Sequence, residues 1–286
     1  MGEGKARVEE MNYFELLAWL GIGSSHPGGF PATRQNLAAL GLDGDTFVLD
    51  AGCGTGLTAC FLAKKVGCRI TGIDVNPEMI EKARLRAEKE GVSGLVRFEV
   101  ADVYQLPFQA NYFDLVMAES LTVFLNKDKV YREFFRVLKP GGKLADLEMA
   151  LVKEMPSDIR EQMERCFGLS VSPMSFENWV EDLKKAGFEY SGILNPQYLK
   201  PGSQQVVQDL RKDWVLVKDL AKKLGAQPGL LGRLQKNASF IRKNYSYFGY
   251  GLICGQKPVK TGFIRRLHQI LNRSEGMVFG GAGGCK

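Results

Sequence analysis

This sequence predicts an α/β fold, a mostly parallel sheet with helices on both faces. Three observations carry that expectation. Strand-like and helix-like segments alternate from residue 46 to residue 149. The strands are near-continuous apolar runs, such as Phe113-Asp114-Leu115-Val116-Met117-Ala118, which suits strands buried on both faces. The first strand also runs directly into a glycine turn, Val48-Leu49-Asp50-Ala51-Gly52-Cys53-Gly54-Thr55-Gly56.

Taken in order, residues 11–21 read as a short amphipathic helix. The loop Gly23-Ser24-Ser25-His26-Pro27-Gly28-Gly29 is too rich in turn formers for regular structure. A helix over 32–40 ends at Gly41. Strand 46–50 leads to the glycine turn and helix 58–66, then strand 69–74. Helix 77–90 has Pro77 at its first position and Gly91 just past its end. Strands 96–100 and 113–118 follow, then helix 127–138, closed by Lys139-Pro140-Gly141-Gly142, and strand 143–149. Beyond 150 the pattern loosens: helices at 157–168 and 175–186, a strand at 188–194, a mostly helical stretch over 203–243 broken near 225–232, and a last strand at 247–256. The expected units are an N-terminal lid segment (1–45), a ligand-binding core (46–150), a C-terminal part carrying a helical cap at about 197–245 (151–256), and a basic tail (257–286).

Composition narrows the function classes. With 286 residues, 45% hydrophobic and 24% charged, the chain is neither disordered nor a disulfide-rich miniprotein. The net charge of +6 is concentrated at one end: residues 257–286 hold six Lys and Arg against Glu275 alone. The body is therefore nearly neutral, which speaks against a broad nucleic-acid surface. The six cysteines form no CxxC and there are two histidines, so no metal site is expected. No run of 18 apolar residues occurs and the N-terminus lacks a signal core, which predicts a cytoplasmic protein.

Three acids sit at the ends of successive strands, the edge where open α/β sheets bind ligands. Asp50 precedes the first glycine of the turn; a carboxylate there repels a pyrophosphate and suits a cation. The turn reads GxGxG rather than the dinucleotide GxGxxG, since position 57 is Leu57. Asp74, 22 residues after Gly52, can accept both hydroxyls of a ribose. Asp102 can accept a hydrogen bond from an exocyclic amine.

These motifs, with Gly72-Ile73-Asp74, Ala101-Asp102, Leu106-Pro107-Phe108, Phe113–Val116 and Leu138-Lys139-Pro140-Gly141-Gly142, resemble the class I S-adenosylmethionine-dependent methyltransferases. The style is that of the small-molecule branch that includes the ubiquinone and menaquinone C-methyltransferases. The resemblance is close over 46–150 and covers 150–256 in outline. It implies a Rossmann-like, seven-stranded, mostly parallel sheet with an antiparallel last strand, a helical insertion between the last two strands, and S-adenosyl-L-methionine as cofactor, with S-adenosyl-L-homocysteine as product. It also implies cofactor contacts from Asp50, Gly52, Cys53, Gly54 and Gly56 at the methionine end, from Asp74, Val75 and Asn76 at the ribose, from Asp102 and Val103 at the adenine, and from Glu119, with Ser120 beside it, near the sulfonium.

No dedicated catalytic signature accompanies the fold. The Asn-Pro-Pro-Tyr type of motif used by amine-methylating nucleic-acid enzymes is absent after the fourth strand. His26, in its loop before the core, and Glu119 are the candidate proton acceptors. Val206, Val207, Leu210, Trp214, Val217, Leu220 and Ala221 form a helical stripe, read either as cap packing or as the wall of an apolar substrate pocket. Residues Phe263–Arg273 form a basic amphipathic stripe. It suits weak peripheral contact with an anionic membrane, and equally docking on the body or on a second subunit. The expected activity is methyl transfer to a small apolar, aromatic or lipid-like acceptor. O- or N-methylation of a soluble metabolite is the alternative, with a nucleic-acid methyltransferase or a non-catalytic cofactor-binding scaffold further off. The oligomeric state is left open.

Overall fold

A computed structural model describes Leu16 and residues 28–167, 172–200, 225 and 228–259. The expectations for His26, Trp214 and the 263–273 stripe lie outside the described residues. The elements in chain order are α1 (Gly29–Ala39), β1 (Phe47–Ala51), α2 (Leu57–Val66), β2 (Arg69–Asp74), α3 (Pro77–Glu90), β3 (Val96–Val100), β4 (Phe113–Glu119), α4 (Lys127–Val137), β5 (Leu138–Leu151), α5 (Ser157–Phe167), β6 (Met174–Ser175), α6 (Phe176–Lys185), β7 (Glu189–Tyr198), α7 (Pro228–Asn244) and β8 (Phe248–Gln256).

The strands form one sheet in the order β3-β2-β1-β4-β5-β8-β7, with β6 pairing β5 off that path. Strands β1 to β6 run parallel, and β8 is antiparallel to both β5 and β7. Order reverses between β1 and β4, so the carboxyl ends of β2, β1 and β4 face a single crevice. Two apolar layers flank the sheet. One unites Val116, Ala118 and Leu144 with Tyr131 and Phe134 of α4, Phe167 of α5, Trp179 of α6 and Phe240 of α7. The other unites Leu115, Met117 and Leu147 with Leu40, Leu62, Ile80 and Ala83, beneath α1, α2 and α3.

Local chemistry accounts for the boundaries. Asn76 caps α3 by accepting from the Glu78 N–H at 2.8 Å, and Pro77 loses nothing at a position whose N–H would go unpaired. Ser175 caps α6 in the same way. The structure departs from the sequence expectation in three places. An eighth strand, β6, is only two residues long, too short for periodicity to register. β5 begins at Leu138, directly after α4, and the Lys139–Gly142 turn is absorbed as an irregularity in the pairing with β4. β7 continues to Tyr198 past two register shifts, with Tyr190 and Asn195 both at φ 49°. α7 begins at Pro228, inside the stretch 225–232 where the helical pattern was expected to break, and Gly229 and Gly232 lie in its first turns.

Candidate functional site

The crevice starts from β1. Asp50 stands opposite Gly72 of β2 and Met117 of β4, so it lies two residues below Asp74 and Glu119 in the ladder. The Asp50 side chain is buried, and its Oδ2 has no hydrogen-bond donor among the described residues. Burial, and then the negative charges of Glu119 and Asp74, push its carboxyl well above the usual range. A buried carboxylate oxygen without a donor is costly unless a ligand supplies one.

The glycine turn closes over this acid. Gly52, Gly54 and Gly56 have φ 73°, 53° and 73°, left-handed values that a side chain would strain. They do different work. A Cβ at Gly56 would stand 2.7 Å from the Phe98 ring and 2.9 Å from the Ala83 Cβ, so this glycine lets the start of α2 seat against α3. A Cβ at Gly52 would stand 3.1 Å from the methyls of Leu121, so that face lies toward the crevice. Arg86 braces the turn from below, its Nε donating to the Thr55 carbonyl at 2.9 Å. The Cys53 N–H bonds the Ile73 carbonyl at 2.8 Å, and burial raises its thiol well above the usual value. Cys53 therefore presents backbone rather than a thiolate. Burial holds Cys60 up at about 12 as well. Among the described residues no group of three His, Cys, Asp or Glu side chains is arranged to hold a metal ion.

Asp74 ends β2 half-buried. Its Oδ2 accepts from the Gly54 N–H at 3.1 Å and its Oδ1 from the Asn76 N–H at 2.9 Å. Each oxygen keeps a lone pair for a further donor. Val75 beside it is 72% exposed, an apolar side chain facing outward from the strand end. Asp102 is exposed and turns its own loop by accepting from the Tyr104 N–H at 2.9 Å; Val103 is half-buried. Asn76 spends its side-chain oxygen on the α3 cap, so its backbone and amide face are what remain for a ligand.

Glu119 ends β4. The Thr33 hydroxyl of α1 donates to its Oε1 at 2.5 Å and the Thr58 hydroxyl of α2 to its Oε2 at 2.7 Å. The carboxylate thus ties both helices to the strand beside Asp50. α1 is fastened at two further points. Asn195 of β7 donates to Asn36 at 2.9 Å, and a Cβ at Gly28 would stand 2.6 Å from the Tyr250 ring. Arg34 of α1 is exposed and lies over the Phe61 ring, 5.8 Å from its centroid.

Sequence reasoning missed a second acidic pair. Asp146 and Glu148 of β5 are 0% and 1% exposed. Asp146 Oδ2 accepts from the Thr122 hydroxyl at 2.6 Å and the Tyr131 hydroxyl at 2.8 Å. Glu148 Oε1 accepts from the N–H groups of Leu121, Thr122 and Val123 at 2.7, 2.6 and 3.2 Å. Burial, chiefly, raises Asp146 to about 7 and Glu148 to about 8. The available signal was two acids at i and i+2 inside a stretch, 144–151, whose other residues are apolar.

Residues 48–142 match a protein family described as Methyltransferase domain. The chain is 35% identical over 177 residues to the uncharacterized methyltransferase YodH of Bacillus subtilis, covering 62% of this chain and 74% of that protein. It is 39% identical over 157 residues to a sterol 24-C-methyltransferase of Gibberella zeae, 52% of this chain and 41% of that one. Among solved structures, phosphoethanolamine N-methyltransferase 2 of Haemonchus contortus superposes with a TM-score of 0.68 at 21% identity, over 89% of this chain and 60% of that one. The [4+2]-cyclase SpnF superposes with a TM-score of 0.64 at 26% identity, over 86% and 92%. With its strand order and its glycine turn between acidic strand ends, the chain belongs to the class I S-adenosylmethionine-dependent methyltransferases.

Proposed function

We propose that the chain moves the methyl group of S-adenosylmethionine to a small apolar acceptor of aromatic or lipid-like character, and that the crevice at the ends of β1, β2 and β4 holds the cofactor. The observation that carries the cofactor assignment is the buried Asp50 Oδ2 without a donor, set among Asp74 and Glu119. A ligand that brings N–H donors fits that need, and a cationic one also offsets the negative charges of Asp74 and Glu119. Asp74, with a lone pair left on each oxygen, suits a ribose diol. Exposed Val75 and half-buried Val103, with Asp102, suit an adenine ring. The cofactor, when bound, supplies an already activated methyl group on its sulfonium. The protein's share is then positioning, exclusion of water and negative charge near the cation. Glu119, held as an acceptor by two threonine hydroxyls, supplies charge there and anchors α1 over the crevice.

The apolar acceptor is supported by the likeness to a sterol 24-C-methyltransferase, and the quinone-methylating branch falls within the same acceptor class. Among the described residues no helix is long and apolar enough to cross a membrane, so any lipid acceptor would be reached from the surface. The test is transfer of labelled methyl from S-adenosylmethionine to cell extract split into lipid and aqueous fractions. Label in the lipid fraction is the expected result, and label confined to water-soluble metabolites would overturn the acceptor class.

A further inference from the structure

The loop that follows β4 is shaped by β5 rather than by its own turn chemistry. Four consecutive amides, from Ser120 to Val123, all donate to β5. The Ser120 N–H bonds the Leu147 carbonyl at 2.9 Å. The next three converge on one oxygen, Glu148 Oε1. The Thr122 hydroxyl lies 2.6 Å from Asp146 and 3.1 Å from Glu148, so the pair grips the loop through side chain and backbone together. Ser120 takes φ 51°, a left-handed value uncommon outside glycine, as the chain turns from the strand into this grip. The same turn brings Leu121 over Gly52, within 3.1 Å of where a Cβ would stand. Glu148 therefore reaches the glycine turn through one rigid step: carboxylate, three amides, Leu121, Gly52.

We propose that Glu148 is a positioning residue for cofactor binding, fixing the Ser120–Val123 loop so that Leu121 forms one wall of the crevice at Gly52. Glu148 lies beneath the loop and acts through it. The role rests on the reading that the cofactor's methionine end lies at Gly52. It explains why a buried acid stands in the mostly apolar stretch 144–151. A single oxygen can accept from three convergent N–H groups, and no apolar side chain of that size can. A glutamine offers an amide oxygen at the same place, so position and acceptor matter rather than charge.

Calorimetric titration with S-adenosylmethionine, alongside thermal melting, tests this with three variants of the full chain. Glu148→Gln should bind within about threefold of wild type, Glu148→Leu at least tenfold more weakly, and Leu121→Ala at least threefold more weakly with an unchanged melting temperature. Rescue by glutamine separates loop positioning from general loss of packing, because all three variants are read against their own melts. Should Glu148→Leu fail to fold, Leu121→Ala decides alone, since that side chain is only half-buried. Wild-type affinity in Leu121→Ala, or in a folded Glu148→Leu, overturns the proposal, as does a Glu148→Gln as weak as Glu148→Leu. A wild-type chain that binds no S-adenosylmethionine overturns the cofactor site itself, a result distinct from these.

Discussion

Replacing Glu148 with glutamine should change how stability depends on pH. Glu148 titrates at about 8 in the folded chain and at about 4.3 when unfolded. A carboxyl raised on folding holds a proton that the unfolded chain releases. Its stabilising share is complete below the unfolded value and is lost as pH climbs through the folded one. Asp146 on the same strand moves in the same direction, to about 7. The charged and titratable groups facing the pair include Tyr131 and Lys127 of α4, with Asp182 of α6 acting on Lys127, and Cys254 of β8 beside Asp146. For one retained proton the slope is about 1.4 kcal/mol per pH unit. Unfolding entropy of about 2.1 cal/mol/K per residue makes this roughly 2 °C per pH unit for a chain of 286 residues. Thermal melts of wild type and Glu148→Gln between pH 5.5 and 8 should therefore diverge steadily, the variant's melting temperature relative to wild type rising by about 5 °C across that window. Taking the difference cancels the similar slope that Asp50 contributes to both proteins. Parallel melting curves across that range would show that Glu148 holds no proton in the folded chain and would refute the reasoning.

Two further outcomes follow from packing. Gly56→Ala combines a left-handed backbone with a 2.7 Å approach to Phe98, so it should cost about 2–4 kcal/mol in denaturant unfolding; a loss below about 0.5 kcal/mol would mean that α2 need not seat so closely. Trp179→Ala removes a fully buried ring whose Nε1–H donates to the Met149 carbonyl at 3.2 Å, and whose face carries Lys127 at 4.8 Å. The expected cost is about 3–5 kcal/mol by the same measurement, with a cost under about 1 kcal/mol contradicting that packing.

Most of the core fold was legible because its signals are local. Pro77 and Gly91 bracket α3, and the short β-rich stretch at 69–74 and the apolar run at 113–118 read as strands. The acids at strand ends were legible too, since β1, β2 and β4 each deliver one to the same edge. What escaped depends on contacts far apart in sequence. Thr33 meets Glu119 across 86 residues, and Thr122 meets Asp146 and Glu148 across 24 and 26; nothing in either partner's neighbourhood marks the meeting. β6 pairs through two residues, fewer than one period of a strand pattern.

The central claim is that the crevice between β1, β2 and β4 binds S-adenosylmethionine through Asp50 and Asp74. Titration calorimetry of the wild-type chain and Asp74→Ala tests it most directly. One molecule should bind per wild-type chain, and the variant should lose about 1–3 kcal/mol, roughly 5- to 150-fold in affinity, because the ribose hydroxyls lose their acceptor. Equal affinity in a folded Asp74→Ala, or no binding by the wild-type chain, would contradict it.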